Sequence, residues 1–220
     1  MTHRQAEADE PDERRDGTGG EPSGDHDPRL RLAFTAFKLK DEARAGWVLR
    51  SVRDPESVAD HSWGTALLCL LYAAEAGVDE AEAVRIAVLH DLAEAETGDV
   101  IARASPVDRT VSEESKAQRE ARAIETLLSP SLDTLRRSWQ AYEDRSTPAA
   151  LFVRDMNLID MCMQAVVYQE QQRYDPGQVV PSQDGYTHLD EFFVSARSRL
   201  STGCGRRLYE LLERRYEAVR

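Results

Sequence analysis

The chain has 220 residues, enough for one sizeable hydrophobic core and not so many that a second domain is required. Its 40 acidic residues outnumber 28 basic ones, giving a net charge of -12, a balance that repels polynucleotides and anionic lipid and argues against both as partners. No run of about 18 apolar residues occurs, nothing near the N-terminus resembles a secretion signal, and Cys69, Cys162 and Cys204 are odd in number and widely spaced, so a cytoplasmic protein with free thiols is expected.

Residues 1–28 hold nine acidic residues and three arginines, with four glycines and three prolines but no Val, Ile, Leu or aromatic residue. Such a segment cannot bury enough apolar surface to offset its ordering entropy, so it is expected to be a disordered acidic tail without a part in catalysis. The folded domain is expected over 29–220, beginning near Leu30.

From there helix follows helix. Leu30–Leu39 is a short amphipathic segment. Ser57-x-x-Asp60 has the form of a capping box opening a helix through Ala76, and Gly77 stops it. Asp79–Glu96 reads as one helix, apolar nearly all round at Ile86–Leu89 and therefore central, with Gly98 as its stop. Ser112–Leu128 is amphipathic, and its Lys116/Glu120 pair at i,i+4 reads as surface support. Leu132–Tyr142, Pro148–Arg173, His188–Leu200 and Arg206–Val219 complete the set, with a Pro/Gly-rich loop over Pro176–Tyr186. No β-alternation and no glycine-rich phosphate loop appears, so the fold class is all-α, a single helical bundle.

The sharpest local feature is Leu89-His90-Asp91-Leu92-Ala93-Glu94. A buried helix presents an imidazole and a carboxylate side by side, with Glu94 at i+4 and i+3 from them on the same side. Two ligands with a nearby proton-handling carboxylate suit a metal site. A core histidine satisfied by the neighbouring aspartate suits the hexapeptide equally. His61 lies one turn into the preceding helix on a mostly apolar face, where either a metal or Thr65 would satisfy it. Asp155 sits among Leu151, Phe152, Leu158, Ile159 and Cys162, a placement that is costly unless the carboxylate is paired or bound to metal. Asp160, five residues on, falls on another face and is the weaker candidate.

The pattern His61, His90-Asp91, Asp155 resembles that of the HD-domain metal-dependent phosphohydrolases. Arg44-Ala45-Gly46-Trp47, Glu56 to Ser62, His90 to Asp99 and Asp155-x6-Cys162-x-Gln164-Ala165 are similar, in order and spacing, to the branch containing the bacterial 5′-deoxyribonucleotidases and the "HD domain-containing protein 2" group. The separation of Arg44 from Trp47 is similar to the latter group. The resemblance implies a homodimeric, helical phosphomonoesterase acting on (deoxy)nucleoside 5′-monophosphates. His61, His90, Asp91 and Asp155 match its metal ligands, and Glu94 matches the carboxylate that positions or deprotonates the attacking water. Arg44 matches a phosphate-side arginine, Asp99 an active-site aspartate, and Trp47 falls in the sugar- and base-selecting segment. One divalent ion is implied, and two imidazoles with two carboxylates suit Mn, Co, Fe or Zn better than Mg.

Rival readings keep the fold and change the chemistry. A nucleoside triphosphate, cyclic nucleotide or guanosine tetraphosphate substrate would call for more basic residues around the phosphates. A di-iron oxygenase would need histidines between Leu92 and Arg154, and none occurs there. A non-enzymatic scaffold with a structural metal has no use for Glu94 and Asp99 beside the ligands.

Overall fold

The computed structural model describes residues 27–101, 111–174 and 188–220. The expected tail, apart from its last two residues, and the expected loop over Pro176–Tyr186 lie outside the described residues. Ten α-helices appear among the described residues, with no strand beyond a single bridge between Ala43 and Ser57.

The first helix, α1 (Pro28–Ala36), starts slightly earlier than expected because Asp27 caps it, its carboxylate accepting from the Arg29 N–H at 2.9 Å. A 3₁₀ turn (Phe37–Lys40) follows, and then α2 (Ala45–Leu49), a short helix not foreseen in the sequence. Next comes α3 (Val58–Ala76), opened by the expected capping box: the Ser57 hydroxyl accepts from the Asp60 N–H, and the Asp60 carboxylate accepts from the Ser57 N–H. Gly77 ends the helix in the left-handed conformation, at φ +69°.

The expected helix over Asp79–Glu96 is two helices. α4 (Glu80–Leu89) stops at His90, and α5 (Glu94–Thr97) resumes after a tightened turn, in which Leu92 N–H bonds the Leu89 carbonyl and Glu94 N–H bonds that of Asp91. The i→i+3 pattern of these bonds overwinds the backbone between the two helices. Nor is the end of α4 buried all round, since Val88 is exposed while Ile86, Ala87 and Leu89 are buried.

The rest follows the expected order as α6 (Glu113–Leu127), α7 (Asp133–Asp144), α8 (Pro148–Glu170), α9 (Asp190–Arg197) and α10 (Gly203–Val219). α8 is the axis of the bundle. Thr147 caps it and Pro148 occupies its first turn, where a missing N–H costs nothing. It packs against α3, α4, α7, α9 and α10, burying Phe152, Met156, Ile159, Cys162 and Ala165. A second cluster, Leu89, Leu92, Ile124, Leu128 and Trp139, roofs the α4–α5 junction. All three cysteines are buried and free. Among the described residues no helix is long and apolar enough to cross a membrane.

The Asp27 cap moves the start of the folded unit forward. A chain beginning at Asp27 is expected to keep the helicity and melting temperature of the full chain, checked by circular dichroism. A clear loss of either would make residues 1–26 part of the folded unit.

Candidate metal centre and active-site cavity

His61 comes from α3, and His90 and Asp91 from the break between α4 and α5. Because α4 ends at Leu89, the Ala87 carbonyl is free of helix bonding and meets His90 Nδ1 at 2.7 Å. His61 Nδ1 meets Asp160 Oδ2 at 2.6 Å. With both Nδ1 atoms engaged, the two Nε2 atoms face each other at 3.3 Å. Asp91 Oδ2 completes a triangle, 3.1 Å from His90 Nε2 and 3.6 Å from His61 Nε2. Ligand atoms each about 2.1 Å from one ion lie roughly 3.0–3.6 Å apart for angles of about 90–120° between them, so this triangle fits a divalent metal.

Charge reinforces the fit. Burial pulls the His61 imidazolium down to about 3, and Arg44 adds to the effect, leaving a neutral ring with a free lone pair at neutral pH. Burial also opposes charge on His90, but neighbouring Asp91 outweighs it and raises the pKa above the ordinary value. Burial of Asp91 is in turn outweighed by His90, Arg44 and His61, which hold its carboxyl well below the usual range. An anion between two imidazoles and a guanidinium is what a divalent cation would meet.

The other expected active-site groups gather around this trio. Glu94, at the start of α5, is only 3% exposed, and burial together with Asp91 and Asp99 pushes its carboxyl well above the usual range. Its Oε1 accepts from Lys116 Nζ at 2.7 Å, while Oε2 is buried without a hydrogen-bond partner among the described residues. Arg44 Nη1 lies 3.4 Å from Asp91 and 3.5 Å from Asp99. Asp99 also accepts from the Ala45 N–H at 2.9 Å, which ties the α2 start to the end of α5. Arg44, His90, Asp91, Glu94, Asp99 and Lys116 line a cavity of about 480 Å³, a size typical of small-molecule sites.

The structure corrects three expectations. Asp155 is not brought to the trio. It is fully buried at the start of α10, where its carboxylate accepts from the Ser201 N–H at 3.0 Å and the Thr202 N–H at 2.7 Å, and from both hydroxyls. Its stabilising partner is a helix N-terminus. The α8 residues that line the cavity are Arg154, Asn157, Leu158 and Met161, and Asn157 Nδ2 donates to the Tyr142 hydroxyl at 2.7 Å. Trp47 borders the cavity but is 2% exposed, with its indole N–H donated to Glu56 at 2.8 Å and its ring packed on Tyr168 and Phe192. It is a packed part of the cavity wall. The Lys116/Glu120 pair is more than surface support: half-buried Lys116 bridges Glu94 and Glu120 at the cavity wall.

Two contributions escaped sequence reasoning. Asp160, and not Thr65, satisfies His61; Thr65 Oγ1 has no hydrogen-bond partner among the described residues. Phe192, Val194 and Ser195 of α9 form part of the cavity wall, and nothing in their local sequence marks them as facing the metal site. Glu56, His61 and Asp160 form a second group with ligand-type atoms close together. In that group Asp160 meets His61 through Nδ1, the nitrogen turned away from His90, so the group lies behind the His61–His90–Asp91 trio and outside the cavity.

Helices that turn two imidazoles and a carboxylate onto one point, beside a second buried carboxylate and two cations, define a metal-dependent hydrolase of the helical type. Residues 36–188 match the HD domain family, and the chain belongs to it. The Danio rerio protein named 5'-deoxynucleotidase HDDC2 is 32% identical over 177 residues, 79% of this chain and 80% of that protein. A Dictyostelium discoideum protein of the same name is 34% identical over 173 residues, 74% of this chain and 84% of its own. Among solved structures, the PH0347 protein from Pyrococcus horikoshii OT3 is 25% identical, with a TM-score of 0.65 over 86% of this chain and 98% of that one.

The Asp155 assignment has a direct check. Asp155→Ala removes the acceptor of two N–H and two O–H groups and is expected to cost about 2–3 kcal/mol of stability in urea denaturation. Metal affinity of the folded variant should be unchanged. Weakened metal binding at unaltered stability would return Asp155 to the ligand set.

Proposed function

We propose that the chain is a metal-dependent phosphomonoesterase that hydrolyses deoxynucleoside 5′-monophosphates to nucleoside and phosphate. The observation that carries the reading is the convergence of His61 Nε2, His90 Nε2 and Asp91 Oδ2 beside the buried, half-partnered Glu94. Relatives named 5'-deoxynucleotidase over most of both chains support the substrate class.

His61, His90 and Asp91 would hold the ion, three protein ligands being usual where a metal also takes substrate and water. Nitrogen ligands favour Mn, Co, Fe or Zn over Mg. When bound, the metal polarises a phosphate oxygen and favours ionisation of water. Arg44, held by Asp91 and Asp99, is placed to meet charge on the equatorial phosphate oxygens. Glu94 takes a proton from the attacking water through its unpartnered Oε2, and Lys116 on Oε1 keeps the carboxylate in place. Asp99 fixes the α2 start, and with it Arg44.

The homodimer expectation also has a surface to support it. One face of α3 leaves Trp63, Leu67, Leu70 and Leu71 exposed at i, i+4, i+7 and i+8, an apolar stripe of the kind that a second copy covers. Leu71→Glu is expected to convert a dimer to a monomer in light scattering. A wild-type mass of one chain would overturn the assembly.

The reaction is tested with a panel of nucleoside monophosphates, chelator-treated protein and each metal in turn. Phosphate release is expected to vanish on chelation and return with Mn²⁺, Co²⁺ or Zn²⁺ more fully than with Mg²⁺. Glu94→Gln should retain metal and lose roughly 10²–10⁴-fold in turnover. Cleavage of a cyclic nucleotide or triphosphate in place of monophosphates would replace the substrate class. Unimpaired turnover of Glu94→Gln would remove Glu94 from the proton transfer.

A further inference from the structure

A neutral imidazole carries one proton and can place it on either nitrogen, so a buried histidine binds metal through Nε2 only if the proton is kept on Nδ1. His90 has this arranged by its own backbone, since its Nδ1 donates to the Ala87 carbonyl three residues earlier. His61 lies within α3, where its nearby carbonyls are used by the helix, and it is fully buried. Its Nδ1 depends on a side chain from another helix. We propose that Asp160 is the positioning residue for His61: by accepting from Nδ1–H it fixes the tautomer and ring orientation that aim Nε2 at the His90–Asp91 pair.

Two observations carry this. The Nδ1–Oδ2 separation is 2.6 Å, short even for a charge-assisted bond, with His61 fully buried and Asp160 9% exposed. The second observation is Gly64. A Cβ at that position would lie 2.0 Å from Asp160 Oδ1 and 3.1 Å from its Cγ, so the carboxylate occupies the space that any other residue would fill. Glycine inside a helix is destabilising relative to alanine. One turn after His61 on α3, that cost has a return: the notch through which α8 delivers the carboxylate to the imidazole.

The inference rests on the metal-site reading, and its test separates the two. In metal-free protein with ¹⁵N-labelled histidine, long-range ¹H–¹⁵N correlations should show His61 protonated on Nδ1 alone. Asp160→Ala should abolish that signature and weaken Co²⁺ binding, followed by visible absorbance, by roughly 10–100-fold, the usual effect of losing an outer-shell partner. Gly64→Ala, which leaves Asp160 in the sequence but displaces its carboxylate, should do the same. Asp160→Asn, whose amide oxygen still accepts, should restore the tautomer and most of the affinity. If Asp160→Ala fails to fold, Gly64→Ala and Asp160→Asn carry the comparison. Wild-type Co²⁺ affinity and an unchanged His61 signature in Gly64→Ala or in folded Asp160→Ala would overturn the proposal. Wild-type protein that shows the expected tautomer, loses it in Asp160→Ala and binds no Co²⁺ would instead leave the positioning intact and remove the metal reading.

Discussion

Polar side chains enclosed in a helical core must be held from behind as well as used from in front. His61 and His90 are both buried, so water cannot orient them, and each is held through Nδ1. The anchor for His90 exists because α4 stops one residue earlier and leaves a carbonyl unpaired. The same interruption turns Asp91 toward the imidazoles and sets Glu94 at the head of a new short helix. Had the helix run on unbroken, the N–H of Asp91 would have shared the Ala87 carbonyl with the Nδ1 of His90. Local backbone geometry and side-chain chemistry are therefore one feature at this junction.

α8 shows a related economy. It carries two buried aspartates, Asp155 and Asp160, which five helical steps place about 140° apart. Each carboxylate enters a space kept open by a glycine on the facing helix, Gly205 of α10 for the first and Gly64 of α3 for the second. Asp155 meets a helix N-terminus, whose free N–H groups and partial positive charge suit an anion. Asp160 meets an imidazole. One helix thus joins a structural seam on one side and the candidate metal centre on another, with the same residue type and different consequences.

Much of this was legible in the sequence. Caps at Ser57 and Gly77, the proline opening α8, and the apolar periodicity identify most of the helices, because those signals are local. The doublet His90-Asp91 with Glu94 is local too, and the structure assembles it with His61 and Arg44. What failed was long-range. An aspartate in an apolar stripe announces that it needs a partner without naming one, and the partners of Asp155, Ser201 and Thr202, lie far along the chain on another element. Lys116 satisfied a surface pattern with Glu120 at i,i+4, yet the packing of α6 against α5 turned the pair inward onto Glu94. The one written trace of Asp160's role was Gly64, three residues after His61, a mid-helix glycine with no turn to make.

The seam between α8 and α10 also bears on the order in which the protein can assemble during synthesis. Both histidines, Asp91 and Glu94 emerge from the ribosome long before Ser201 and Thr202, as does Asp155. Until those two residues arrive, α8 must either hold a charged carboxylate in an apolar stripe or leave that face undocked. Phe192, Val194 and Ser195, which wall the cavity, arrive in the same late segment. The nascent chain consequently gathers its ligand-type side chains early and closes the chamber around them last, and the Asp155 face of α8 finds its polar partners only in the segment that completes the site.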